Sequence, residues 1–433
     1  MLIYNKIQRE KMSWLFIWIL TILCLGMLFH GLLVRGRFYQ YPFIAAGIFL
    51  TFILPQLPGL ANSRFIPDAS LSKTLAFSSI CLAMCGIGWS VGLRTSPLKD
   101  HAFSEYRLLK AAGFLSLVGA YFFFEFGRLP DDERLRGILT GRAVAYLFFA
   151  KLLTYGFALA LICYAHRRSL FALYIILFDS AFYLERIFIA GRRGETAEFC
   201  ILIALAFWFQ RRRAVPRTAV VAGLALSLIG LLGAEEYRKS TWYGETTSGW
   251  KAISNIDLQE NWERLLKEGG PEMENALIAI EHVDQSQTFD FGLHHWNSTI
   301  FSYVPAQLVG ANLKRALLIN LPSIFGNHTP PTGSTATGMA DAFASFWYFG
   351  AFKFFLIAFL LGGIYNSAIN GSTTSQIIYM LSVVPAILVI THFTNEIVIA
   401  WIHMVIFLFP AIYYARISSK SDPYVEPSVP HYG

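Results

Sequence analysis

Charge is what this sequence has little of: Asp, Glu, Lys and Arg make up 15% of its 433 residues, against 55% apolar ones. A soluble domain needs about a quarter of its residues charged to keep its surface wet. A water-soluble globular fold is therefore excluded, and the outer surface has to be hydrocarbon. Cysteine is scarce as well. The five present (Cys24, Cys81, Cys85, Cys163, Cys200) all lie inside apolar runs, so no disulfide framework is open to a polar segment. No Cys/His cluster has zinc spacing, no metal site is expected, and no organic cofactor motif is present. Internal repeats and low-complexity stretches are absent. The net charge is +7, yet no basic stripe with interleaved aromatics marks a polar domain, which sets nucleic acid aside. Membrane lipid headgroups or a phosphate-bearing substrate answer that charge better.

What is present is apolar length. Runs at 13–34, 41–61, 72–93, 108–126, 143–165, 168–190, 196–210, 217–234, 344–366, 376–391 and 394–415 give about eleven candidate spans, each near the 20 residues that cross a bilayer core. The first is preceded by Lys6, Arg9 and Lys11, and it is too long for a signal-peptide core, so it reads as a retained span. Pro55 and Pro58 should bend the second or end it early. The expected fold is an all-α polytopic membrane protein: an N-terminal bundle of about eight spans over 1–234, a large external loop over 235–343, about three further spans over 344–415, and a tail over 416–433.

Basic clusters set the orientation. Arg35 with Arg37, then Arg94, Lys99 and Arg107, then His166 to Arg168, then Arg211 to Arg213 with Arg217, fall on alternate connections. Placed in the cytoplasm, they put 235–343 in the periplasm. Arg128, Arg134, Arg136 and Arg142, and separately Arg192 and Arg193, then stay outside against the bias, and an anionic ligand at the outer surface would give them work. The loop's first half, 255–287, reads as two short amphipathic helices broken at Gly269-Gly270-Pro271. Its second half is aromatic and is expected to fold down onto the membrane.

The sharpest local feature is Gly191-Arg192-Arg193-Gly194-Glu195, at the outer end of a helix holding Asp179, Glu185 and Arg186. Asp179, Arg186 and Arg193 are seven apart and would share a face if the helix ran on through Gly191. Ionisable groups at membrane depth are expensive and face a cavity or a partner. Arginine's planar fork suits phosphate oxygens. Arg128, Arg136, Arg142, Arg186, Arg192 and Arg193 are the diphosphate-binding candidates, although Asp131, Asp132 and Glu133 offer simple self-pairing. A general base must be a His or a carboxylate within reach of the acceptor hydroxyl. Glu195, Asp290, His294 and His295 are the catalytic candidates. His282, Asp284, His328 and Asp341 lie in the same loop, and His392, Asn395 and Glu396 lie between the last two spans. Trp296, Tyr303 and Trp347 are candidates for stacking on sugar rings. His403, inside the last span, reads as a packing residue.

Taken together these features resemble the Wzy-type O-antigen polymerases, the oligosaccharide repeat-unit polymerases of bacterial inner membranes. Arg35-Gly36-Arg37 with the apolar run to Leu54-Pro55 is similar to that family's N-terminal region. The Gly-Arg-Arg-Gly-Glu segment is similar to its Arg-Gly motif, Thr288 to Gly292 with Val304-Pro305 to its loop segments, and 334–350 to the stretch before its final helices. Ala306-Gln307 stands where many relatives carry Arg or Ser. The resemblance implies a metal-independent glycosyltransferase acting on oligosaccharides linked to undecaprenyl diphosphate. A flippase and a chain-length regulator would be its partners. An O-antigen ligase shares the topology, donor and loop. A lipid-linked-sugar transporter would keep its charges in a central cavity, and a membrane O-acyltransferase has only His403 to support it.

Overall fold

The computed structural model describes residues 2–98, 100–130, 133, 141–188, 193–242, 256–331 and 333–417. Among them every regular element is helical, and the one extended pairing is the isolated bridge Phe103–Arg416. Eight helices are long and apolar enough to cross a membrane: Met12–Leu33, Tyr41–Asn62, Asp68–Gly92, Glu105–Gly127, Arg142–Arg167, Thr337–Ile369, Thr373–Thr391 and Asn395–Ala415. The chain is a multi-pass α-helical membrane protein.

The other three expected spans are also helices, Leu170–Phe188, Arg193–Arg211 and Arg217–Trp242. Their composition sets them apart. The first carries Asp179, Glu185 and Arg186, and the second Glu195 and Glu198. The apolar part of the third stops at Gly233. This helix also runs eight residues past the boundary expected at 234. The proline-bearing span does not end early: it widens into a π-turn at Phe49–Ile53, tightens at Leu54–Gln56, and continues to Asn62. The wide turn absorbs the backbone bond that Pro55 cannot donate. At the other boundary the membrane helix starts at Thr337 rather than 344, in two pieces, Thr337–Phe346 and Ala351–Ile369, broken at Trp347–Gly350. Close approach fixes the longest helix pair. A Cβ on Gly88 or Gly92 would run into the Phe355 or Phe359 carbonyl, so these small residues let the 68–92 and 351–369 backbones touch.

Contacts at the helix ends define two faces. On one, arginines cap the final carbonyls of four spans: Arg211 donates to Ala165 O at 2.6 Å, Arg217 to Leu33 O at 2.9 Å, Arg107 to Arg416 O at 3.4 Å, and Arg212 to Ile369 O. The last carbonyls of a helix have no partner of their own and carry its negative dipole end, so a guanidinium there serves twice. All the alternate basic clusters inside the described residues lie on this face. The opposite face holds the segment from 256 to 336. Its two amphipathic helices are Leu258–Glu268 and Pro271–Ser286, on either side of the Gly269-Gly270 break. Lys73 of the third span clamps the second of them, reaching Glu281 at 3.1 Å and Asp284. These two carboxyls are pushed up by partial burial and pulled down further by the Lys73 hydrogen bonds, and they end below the usual carboxylate range.

The two-face arrangement predicts a labelling pattern. In a variant with the exposed Cys200 replaced by Ser, a cysteine at Ser286 and a cysteine at Ser96 lie on opposite faces. An impermeant thiol reagent applied to intact spheroplasts should label the Ser286 position alone. Labelling of the Ser96 position alone would invert the orientation.

Candidate functional site

On the loop face, the helix Leu293–Tyr303 packs against the start of the last span, next to the Thr337–Phe346 helix. Asp290 sets its angle. Its backbone N–H donates to Ala344 O at 3.0 Å, and its carboxylate accepts from the N–H of Gly292 at 2.9 Å and of His294 at 3.3 Å. Gly292 makes the reversal at φ 82°, a conformation glycine adopts without a Cβ penalty. The turn sends His295 inward.

His295 meets a buried polar network. Asp341 Oδ2 accepts from the Thr394 N–H at 3.0 Å and from the Thr394 hydroxyl, with Lys353 Nζ 3.7 Å away. Lys353 donates to Ser345 Oγ at 2.7 Å and to Thr394 Oγ1 at 3.2 Å, and His295 Nε2 lies 2.9 Å from Thr394 Oγ1. A hydroxyl has one proton and two lone pairs. The Thr394 proton is spent on Asp341, so its oxygen accepts from Lys353 and from His295. This puts the imidazole proton on Nε2 and leaves Nδ1 a bare lone pair. Nδ1 is buried and has no partner among the described residues. Burial, and then the neighbouring Lys353 ammonium, push the His295 pKa down to about 4, so the ring is neutral at physiological pH.

The backbone around this network is strained. Among the described residues six non-glycine ones have positive φ, and three of them, Phe291 at 50°, Thr337 at 62° and Trp347 at 53°, bracket the site. Each such residue costs about 1–3 kcal/mol and persists only where its surroundings over-determine it, which happens at functional sites. Above the network stand exposed aromatics. Phe291 and Phe346 have ring centroids 6.3 Å apart, the Lys353 ammonium lies 5.8 Å from the Phe346 ring, and Phe291, Phe346, Trp347 and Trp296 are between 41% and 68% exposed. Flat apolar rings exposed on the protein surface beside a buried imidazole form a surface suited to a sugar.

The other sequence candidates fall elsewhere or carry other duties. Trp296 donates to Leu317 O at 2.9 Å, Trp347 to Asp284 at 3.0 Å, and the Tyr303 hydroxyl to Ile399 O. His294 stacks near Phe393 at 5.5 Å. His328 pairs with Asn275 at 3.0 Å. His403 bonds Tyr155 at 2.7 Å inside the bundle, the packing role expected of it. The arginines are neutralised: Arg128 by Glu125 at 2.7 Å, Arg142 by Glu133 at 2.8 Å, and Arg186 by Glu195. Arg136 and Arg192 lie outside the described residues, as does the side chain of Arg193. Gly191, on which a shared face through Arg193 would depend, lies outside the described residues. Asp179 accepts from the Ser116 hydroxyl at 2.8 Å, and Glu198 from the Tyr183 hydroxyl at 3.0 Å. Glu195 is the ion-pair partner of a candidate phosphate binder, not a free base in this structure.

Sequence reasoning missed Lys353 and Thr394. A signal for the first was there, since Lys353 interrupts an apolar run and a lysine at membrane depth marks a site by default. Thr394 carried none. Among the described residues, no group of three or more His, Cys, Asp and Glu converges as a metal-ligand set. No family model, curated protein or solved structure matches this chain. The site has to be read from its own chemistry.

The buried pair makes an asymmetric prediction. Lys353→Met alone leaves Asp341 charged and unpaired and should cost about 3–5 kcal/mol, whereas a pair removed together can be nearly neutral. Melting of the detergent-solubilised protein should drop sharply for Lys353→Met and recover in Lys353→Met/Asp341→Asn. Equal melting of the two variants would show that the charges are not coupled.

Proposed function

We propose that this protein is a membrane-embedded glycosyltransferase that polymerises oligosaccharide repeat units carried on undecaprenyl diphosphate, acting on the periplasmic side of a bacterial inner membrane. The observation that carries this reading is the bare, inward-held Nδ1 of His295 beside a rim of exposed aromatic rings. The chemistry follows in order. The aromatic rim stacks the acceptor sugar. His295 Nδ1 takes the proton of one acceptor hydroxyl as that oxygen bonds the anomeric carbon of the donor. The bond from that carbon to the diphosphate breaks, and its electron pair leaves on the phosphate oxygen. The imidazolium formed is stabilised by Asp341 through Thr394. The leaving diphosphate gathers charge as it departs, and fixed guanidinium groups stabilise such charge best when preorganised. Arg128, Arg142 and Arg186 would exchange a glutamate for a phosphate, and Arg192 and Arg193 stand beside them in the chain.

A base at about pKa 4 is weak at neutral pH, and catalysis favours a base matched to its operating pH. The substrate supplies the correction, since a diphosphate near the ring favours its protonated form. The acid limb of kcat/KM, which reports the free enzyme, should therefore lie near pH 4, and that of kcat, which reports the complex, should lie higher. A kcat/KM limb at the ordinary histidine value of about 6.5 would remove His295 from the role of base.

A polymerase and a ligase bind the same donor and differ in acceptor: a second lipid-linked repeat unit for one, a separate glycolipid core for the other. Two arginine groups, around 128–142 and 186–193, offer cation sites for two diphosphates and favour the polymerase. Deleting the gene should leave surface glycans carrying one repeat unit. Loss of all surface glycan, with long lipid-linked polymer accumulating, would make the protein the ligase.

A further inference from the structure

The face with the capped helix ends carries a second site, independent of the proposed chemistry. An apolar groove of about 640 Å³ runs between the first span, the second span and the 217–242 helix, walled by Ile22, Leu25, Phe29 and Leu32 with Leu50 and Leu224. Its size falls within the range of ordinary ligand pockets. Ile22 and Phe29 are about two-thirds exposed, and a Cβ added at Gly26 or Gly223 would meet nothing within 4 Å, so the groove is open along its length. A bilayer fills such a space with a hydrocarbon chain, and what matters is whether anything selects the lipid.

The groove's end on the basic face does. His30 follows Phe29, and its ring bonds the Arg37 guanidinium. Leu33 follows Leu32, and its carbonyl accepts from Arg217 at 2.9 Å. Both arginines are thus anchored within one turn of the groove's last wall residues. Each guanidinium has five N–H donors, so these single bonds leave most of them unspent. Arg217 also opens a helix of 26 residues, whose N-terminus adds its positive dipole end to the two charges. The neighbouring Arg35 is exposed.

We propose that this groove binds one phospholipid of the basic-face leaflet, its acyl chain lying along the first span and its anionic phosphate held by Arg37 and Arg217. The occupant is an anionic phospholipid, since a zwitterionic headgroup would bring an ammonium among the arginines. Bound there, it lies against the first span, the second span and the 217–242 helix together.

The test uses the full-length protein in mixed micelles with phosphatidylglycerol or phosphatidylcholine, reading retained lipids by native mass spectrometry. The wild type should retain one phosphatidylglycerol in preference to phosphatidylcholine. Arg37→Gln/Arg217→Gln should cut that preference roughly 30-fold, at the usual worth of a basic residue near an anionic surface. Gly26→Trp starts from a position where an added Cβ meets nothing within 4 Å, and it should abolish retention while leaving the melting temperature in lipid-free detergent unchanged. Equal retention of both lipids by the wild type, or an unchanged preference in the double arginine variant, would overturn the proposal. So would crosslinking of two copies through a cysteine at Gly26, which would make the groove a contact between chains.

Discussion

Lys353 and Asp341 face each other at 3.7 Å in a region closed to water, and the loop face is built around satisfying them. A buried ion pair earns its place only when every remaining lone pair and proton finds a partner. Thr394 gives Asp341 two hydrogen bonds, which fixes the turn between the last two spans. Ser345 accepts a hydrogen bond from Lys353, which fixes the helix before the break at Trp347. His295 then fills the remaining lone pair of Thr394. The helix 293–303 is positioned by the needs of two charges on other elements, and its catalytic candidate is oriented by the same bonds.

The two faces spend arginine differently. On the basic face guanidinium groups go to the last carbonyls of spans, joining the 211–217 connection to the ends at Leu33, Ala165 and Ile369. On the loop face Arg128, Arg142 and Arg186 go to glutamates. Carbonyl caps are neutral and permanent, so they brace the bundle. The pairs of the exposed Arg128 and Arg142 are weak and can be exchanged for a phosphate at little cost, whereas the Arg186–Glu195 pair is largely buried. The arginines placed against the topological bias are thus the ones whose present partners are easiest to displace.

How much of this is legible in sequence depends on whether the signal is periodic or contextual. Apolar length located every membrane helix, because a bilayer demands it of the chain directly. The Gly269-Gly270-Pro271 break and the two helices beside it were legible for a similar reason, since turn chemistry is local. For the second span the sequence left two outcomes open at Pro55, a bend or an early end, and the wide turn at Phe49–Ile53 just before Pro55, invisible in composition, carries the helix on to Asn62. Asp341 and His295 could be named as candidates, but not their union, which spans 46 positions and is made by Thr394, a residue with no signature. The arginines were legible as cations and Glu133 as a nearby partner for the 128–142 group, but the pairings with Glu125 and Glu195 were not singled out in the sequence. Lys353 was readable by the membrane cost of its charge and was passed over.

On the proposed role of His295 as base, the covered state of its Nδ1 says which part of the loop face would have to move. An acceptor hydroxyl can reach that lone pair only if the helix 293–303 shifts, and this helix does not shift alone. Asn297 exchanges two hydrogen bonds with Ile319, at 2.7 and 2.9 Å, Trp296 bonds Leu317 O, and Lys314 bonds Phe301 O at 3.0 Å. These bonds tie residues 293–319 together, so a shift of the helix would carry the whole stretch. The preceding helix, Pro271–Ser286, is held by Lys73 and by the bond from Met273 N–H to Gln56 at 3.1 Å. Between the fixed helix and the mobile unit lie Gln287, Phe291 and Gly292, all at positive φ. Two of those three pay strain to hold the closed form, and relaxing them returns part of what it costs to break the His295–Thr394 and Tyr303–Ile399 bonds. Strain, base and aromatic rim occupy the same short stretch of chain, so the turn that holds the base closed is also the hinge on which it would open.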